Sequence, residues 1–161
     1  MNTNAGITTL NGNAGVVMAE GNGAYSLTVG SGTYSGQVKD SAAAVAGLSL
    51  GIIKTGEGSL ELAGPNCTYT GDTKVQGGSV HFSGDAVLGN ISLSGGTPLL
   101  TVEGNLTLRS SSALALDLTD RTAAAVQIGG MLQLSDTGHA LQLSGYDELP
   151  TGAFLSVARR A

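Results

Sequence analysis

Apolar and polar residues alternate in many short runs along this chain. Such runs occur at 60–62, 80–82, 106–108, 114–118, 132–134 and 141–143. A repeat of two predicts short strands with one buried face. Helical spacing is nearly confined to 40–46, a stretch of small residues with Asp40 or Ser41 as a candidate cap. We expect this stretch to belong to a loop inserted over residues 39–47.

The strands recur in a unit that consists of a strand, a glycine-containing turn and a second strand. Clear copies lie at 75–82, 102–108 and 126–134, and weaker ones at 53–60 and 18–23. Their turns lie roughly 20 to 27 residues apart, a spacing typical of solenoids. The pattern predicts an all-β, single-stranded parallel β-helix, because one coil buries its inward side chains only between neighbouring coils. A β-sandwich is the alternative, but its core usually contains more aromatic residues.

Composition narrows the classes of function. The 161 residues include 26 glycines, 41% are hydrophobic and only 12% are charged, which fits a single thin-stranded domain over 1–161. A net charge of −5 argues against nucleic acid as a partner, since phosphate binding needs clustered basic residues. Cys67 is the only cysteine, so no intrachain disulfide forms. The sequence predicts no transmembrane segment.

The stretch 53–84 resembles the autotransporter-associated β-strand repeat. It contains Lys54-Thr55-Gly56-x-Gly58, alternating leucines, then Tyr69-Thr70-Gly71 and Gly77-Gly78, with one residue inserted at Cys67-Thr68. The resemblance implies a right-handed parallel β-helix that is part of a bacterial passenger, either secreted or displayed on the outer-membrane surface. It implies a structural or adhesive role and an extracellular protein or glycan surface as partner. We further expect the chain to be a segment of a longer passenger that self-associates through exposed coil ends.

One tripeptide, Asp136-Thr137-Gly138, supports a different hypothesis. Asp-Thr-Gly resembles the signature of aspartic proteases, in which two carboxylates share a proton and activate water. A single copy requires a homodimer, so the alternative function is a secreted aspartic-type endopeptidase acting on extracellular glycoproteins such as mucins. His139 follows the glycine, where that family usually has Ser or Ala. A polar turn explains the same residues.

Other polar residues predict no further site. Asp117 and Asp120 could pair as glycosidase carboxylates, but a solvated rim explains them better. His81 is expected to face outward and His139 to lie in a turn, too far apart in sequence for a zinc site. The acidic pair 147–148 fits a turn, and the three glycosylation-like sequons at 66, 90 and 105 fit corners. We predict no metal and no cofactor.

Overall fold

The computed structural model describes residues 3–41, 46–64, 67–119 and 125–145, and within these ranges it contains strands and no helix. The strands are β1 (Ala5–Thr9), β2 (Val16–Met18), β3 (Ala24–Tyr34), β4 (Gln37–Lys39), β5 (Ser49–Lys54), β6 (Ser59–Leu62), β7 (Thr73–Val75), β8 (Ser79–Phe82), β9 (Ala86–Leu88), β10 (Ile91–Leu93), β11 (Leu99–Val102), β12 (Leu106–Leu108), β13 (Ala113–Asp117), β14 (Val126–Ile128), β15 (Leu132–Leu134) and β16 (Ala140–Ser144). All pairings between them are parallel.

The strands stack on three sides of a solenoid. The first side contains β1, β3, β5, β7, β10, β13 and β16 in that order. The second contains the end of β3, then β6, β8, β11 and β14, so β3 serves two sides. The third contains two separate sheets, β2 paired with β4 and, after a coil without a strand at this position, β9, β12 and β15. The predicted parallel β-helix is therefore confirmed, and the β-sandwich alternative is wrong because strands pair with their counterparts in the next coil.

The core consists of inward side chains that stack in columns from coil to coil. One column on the first side contains Val29, Lys54, Val75, Leu93, Leu116 and Leu143, each in register with the next. Removing a leucine from water contributes roughly 1.5–3 kcal/mol, and that burial requires the coils above and below. The column is apolar except for Lys54.

Asparagine and aspartate side chains connect the coils at their corners. Acceptor oxygens of Asn4, Asn11, Asp40, Asp85, Asn90 and Asn105 each receive a backbone N–H from the following coil. These cross-coil bonds, with the Asn90–Asp72 side-chain bond, join residues 18 to 30 positions apart. The coils thus vary more in length than the predicted turn spacing. Asp40 bridges the longest separation, beside the predicted 39–47 loop, of which residues 42–45 lie outside the described ranges.

Candidate functional site

Lys54 is the one charged side chain that the described residues bury completely. It ends β5 in an inward position and is 0% exposed. Its ammonium group donates to three backbone oxygens, those of Thr55 at 2.8 Å, Gly56 at 2.7 Å and Gly77 at 3.1 Å. An ammonium has three donors and no acceptor, so these three bonds satisfy it fully. Because Gly77 belongs to the next coil, Lys54 ties two coils together.

Glycines at this corner let the two coils approach closely. Gly56 (φ 69°) and Gly78 (φ 60°) both adopt the left-handed conformation that other residues resist. A Cβ at Gly78 would lie far inside van der Waals contact with the carbonyl oxygen of Gly58. We call Lys54, Gly56, Gly58, Gly77 and Gly78 the lysine corner. Its members come from the Lys-Thr-Gly-x-Gly and Gly-Gly motifs of the sequence. The two motifs therefore form the two halves of one cross-coil contact.

The electrostatics of the lysine corner oppose the use of Lys54 as a reactive amine. Burial lowers the pKa of Lys54, and the nearby carboxylate of Glu57 acts in the opposite direction. A lowered pKa favours nucleophilic lysines, but here every N–H is directed at a carbonyl and the side chain has no exposed surface. The arrangement therefore binds backbone and supplies no group to a substrate.

A second buried polar contact joins the third side, where the repeat lacks a strand, to the start of β7 on the first side. Cys67 and Tyr69 point inward and are buried, and Thr68 N–H bonds to the carbonyl of Val38 in the preceding coil. The Tyr69 hydroxyl lies 2.8 Å from the hydroxyl of Thr73. Burial raises the pKa of the Tyr69 phenol far above its ordinary value and also raises the pKa of the Cys67 thiol. The thiol is thus held protonated and unreactive.

The Tyr69 contact predicts a loss of stability at alkaline pH. Above about pH 10 the unfolded phenol releases its proton while the folded one keeps it, so the free energy of unfolding falls as pH rises. Tyr69→Phe should cost about 1 kcal/mol at neutral pH, because Thr73 loses its partner, and should remove about 1.4 kcal/mol per pH unit of that alkaline slope. Urea unfolding at a series of pH values measures both effects.

Thr73→Val is the matched control for this prediction. It removes the same hydrogen bond, from the Thr73 side of the contact, but keeps the buried phenol. It should therefore lose a similar free energy at neutral pH and retain the alkaline slope. Equal slopes for Tyr69→Phe and Thr73→Val would contradict the assignment to Tyr69.

Outward side chains on the second side form a polar row. His81 Nε2 lies 3.1 Å from Glu103 Oε1, and the Ser83 hydroxyl donates to Glu61 at 3.2 Å. His81 lies on the outer face, as its alternation with Val80 and Phe82 predicts. Solvent-exposed pairs of this kind contribute at most about 1 kcal/mol each. Among the described residues no three His, Cys, Asp or Glu side chains are grouped so that they could hold a metal ion.

The Asp136-Thr137-Gly138 tripeptide lies in an exposed turn between β15 and β16. Gly138 has a φ of 82°, and the Thr137 carbonyl receives the N–H of Ser111 at 3.4 Å. Asp136 forms no hydrogen bond within the described part of the chain, which gives the peptidase alternative no support. The catalytic role of these three residues stays a prediction.

The remaining candidates of the sequence lie at the surface or outside the described ranges. Asp117 accepts hydrogen bonds from the backbone and hydroxyl of Thr119, as a turn residue does. Asp120 and the acidic pair 147–148 lie outside the described residues. No helix in the part that the structure describes is long and apolar enough to span a membrane.

Comparison with family models identifies the segment that contains the lysine corner. Residues 52–81 match the passenger-associated-transport-repeat family. This segment is similar to a passenger-associated transport repeat. This repeat runs from β5 to β8 and includes Lys54, its glycine partners and Tyr69. The family match confirms the resemblance seen over 53–84. Together, the match and the β-solenoid fit a segment of an autotransporter passenger. Comparison with curated proteins and with solved structures gave no match.

The motifs of the repeat were recognisable in the sequence, but the structural role of Lys54 was not predicted from them. The signal was present in the alternation itself. Leu50 and Ile52 are inward, so the same period of two places Lys54 inward as well. A charged residue at a core position predicts a specific set of partners, since a buried charge without them is costly.

Proposed function

We propose that the chain is a structural segment of a bacterial autotransporter passenger, located outside the cell or on the outer-membrane surface. In this role it is a stiff spacer that presents neighbouring parts of the passenger, and its polar outer rows offer an adhesive surface to extracellular protein or glycan. The observation that carries the proposal is the lysine corner. The signature residues of the repeat, Lys54 and the glycines around it, form contacts between coils and do not line a reactive cleft.

A display experiment tests the proposal. The chain, with an N-terminal epitope, is placed between a secretion signal and an outer-membrane translocator and expressed in a Gram-negative host. We expect the epitope on intact cells and a segment that resists added protease, since a stacked solenoid leaves little backbone accessible. A segment that remains inside the cell, or reaches the surface and is digested at once, would contradict the proposal.

The adhesive part of the proposal has its own measurement. Cells that display the segment are compared with cells that display the translocator alone for retention on immobilised matrix proteins and glycans. A gain that disappears when Glu61 and Glu103 are both changed to alanine assigns adhesion to the outer row of the second side. If retention does not increase on any of these surfaces, the adhesive role is wrong and only the spacer role remains.

Self-association belongs to the same proposal. Inward positions of the last described strands are exposed, with Leu134 at 55% and Leu141 at 53%. Stacking against a second copy would cover such positions and pair the open strand edges. Sedimentation of the purified chain over a range of concentrations measures it.

A further inference from the structure

Two asparagines of this chain precede glycine, and they differ in the hydrogen bonds that surround them. Asn11 is followed by Gly12 and Asn22 by Gly23. An Asn-Gly pair is the most reactive context for cyclisation, because glycine has no side chain to shield its backbone nitrogen. That nitrogen can attack the side-chain carbonyl carbon of the asparagine. Sequence alone assigns both pairs the same reactivity.

The contacts of the fold protect Asn11. Its Oδ1 accepts the N–H of Thr33 at 3.0 Å, and Gly12 N–H, the potential nucleophile, donates to the Thr33 carbonyl at 3.1 Å. Both reacting groups are therefore held by the next coil. Attack requires that these two bonds break and that the corner opens locally.

Asn22 has no such protection. It is exposed and lies in a bend before β3, and neither its side chain nor the N–H of Gly23 forms a hydrogen bond among the described residues. The corner is attached through the Gly23 carbonyl, which receives the N–H of Ser49 at 3.1 Å. The carbonyl group of Gly23 is therefore held by the next coil. Its backbone nitrogen and the side-chain amide of Asn22 have no such bond, so the nitrogen can approach Asn22 Cγ.

We infer that Asn22 is a site of spontaneous covalent modification, by deamidation through a succinimide, and that Asn11 is not. The Gly23 nitrogen loses its proton and bonds to Asn22 Cγ, the Cγ–Nδ2 bond breaks, and Nδ2 leaves as ammonia. Water then opens the ring. Addition at Cγ gives aspartate, and addition at the main-chain carbonyl gives isoaspartate, which adds a methylene to the backbone at this corner. The product carries one more negative charge.

The experiment follows both asparagines in one sample. The purified full chain is incubated at mildly alkaline pH, which favours the deprotonated nitrogen, and peptide mapping by mass spectrometry quantifies aspartate and isoaspartate at positions 11 and 22. We expect Asn22 to convert at least roughly tenfold faster, a ratio that corresponds to about 1.4 kcal/mol. Similar rates at the two sites in the folded chain, or an unreactive Asn22, would overturn the inference.

Two controls separate structure from sequence. In denaturant both Asn-Gly pairs should react at the same rate, so a tenfold ratio that persists there overturns the structural explanation. Gly23→Ala should slow the reaction at Asn22 and leave position 11 unchanged, because the added methyl shields the nitrogen. The nearest atoms to this methyl would be those at the end of the Tyr25 side chain, 3.4 Å away or more, so the fold should tolerate it. Unchanged conversion at Asn22 in this variant would exclude the cyclic route.

Discussion

Gly78→Ala should destabilise the solenoid by about 4 kcal/mol or more, a large part of the 5–15 kcal/mol typical of a folded domain. Two penalties combine. Alanine in the left-handed conformation costs about 1–2 kcal/mol, and its methyl would overlap the carbonyl oxygen of Gly58 in the preceding coil. The backbone on both sides is fixed by coil stacking, so neither atom can move without disturbing the lysine corner.

Gly56→Ala is the matched control, because it isolates the overlap from the backbone strain. Gly56 has nearly the same φ, 69° against 60°, but a Cβ there would have no neighbour within 4 Å. This variant should lose only about 1–2 kcal/mol. The carbonyl of Gly56 that accepts from Lys54 is retained.

Urea unfolding and thermal melts of the two variants measure the difference. With about 2–4 °C of Tm per kcal/mol in a chain of this size, Gly78→Ala should melt roughly 8 °C or more below the wild type and Gly56→Ala only a few degrees below it. Hydrogen exchange at Ser79, whose N–H bonds to the Gly58 carbonyl, should accelerate more in Gly78→Ala than in Gly56→Ala. Equal destabilisation of the two variants would show that the conformation of the glycine matters and the approach of the coils does not.

The contrast between these two glycines shows what the sequence could and could not predict. Alternation placed residues such as Leu60 and Leu106 correctly in the core, because a period of two is a property of one strand. Whether a glycine is close to another backbone depends on which residue lies above it. That residue is set by the length of the intervening coil, and cross-coil bonds here range from 18 to 30 positions. No local pattern encodes that distance.

The third side illustrates the same limit. Cys67 and Tyr69 are inward although the segment around them has no regular strand, and the extra residue at this point does not prevent both side chains from being buried. The insertion was visible in the sequence, but the sequence does not show which side chains it would turn inward or outward. The buried hydroxyl pair of Tyr69 and Thr73 emerges only from the folded coil.

Lys54→Met should lower the free energy of unfolding by about 2–4 kcal/mol. Methionine fills the inward position but donates no hydrogen bond, so three backbone oxygens lose a charged donor. Hydrogen bonds to charged groups are worth about 1.5–3 kcal/mol, and a buried acceptor without a partner costs about 1–3 kcal/mol. Relief of the desolvation penalty on the ammonium, the same penalty that lowers the pKa of Lys54, offsets part of this loss.

Lys74→Met separates this effect from the loss of a positive charge. Lys74 lies in the next coil on the same side, in register with Ile53, but points outward. It pairs with Asp72 at 3.4 Å, and the two side chains are 44% and 46% exposed. Its replacement should change stability by less than about 0.5 kcal/mol.

The two lysine variants decide how the repeat uses its signature residue. If Lys54 ties the coils together, Lys54→Met alone should accelerate hydrogen exchange at Gln76, whose N–H bonds to the carbonyl of Lys54, and at the neighbouring positions of the corner. If Lys54→Met is as stable as the wild type, an apolar column suffices at this position and the carbonyls find other donors. In that case the lysine of the passenger-associated transport repeat specifies the register of the coils rather than their stability. A register role would appear as broader exchange over β7 and β8 without a fall in the melting temperature.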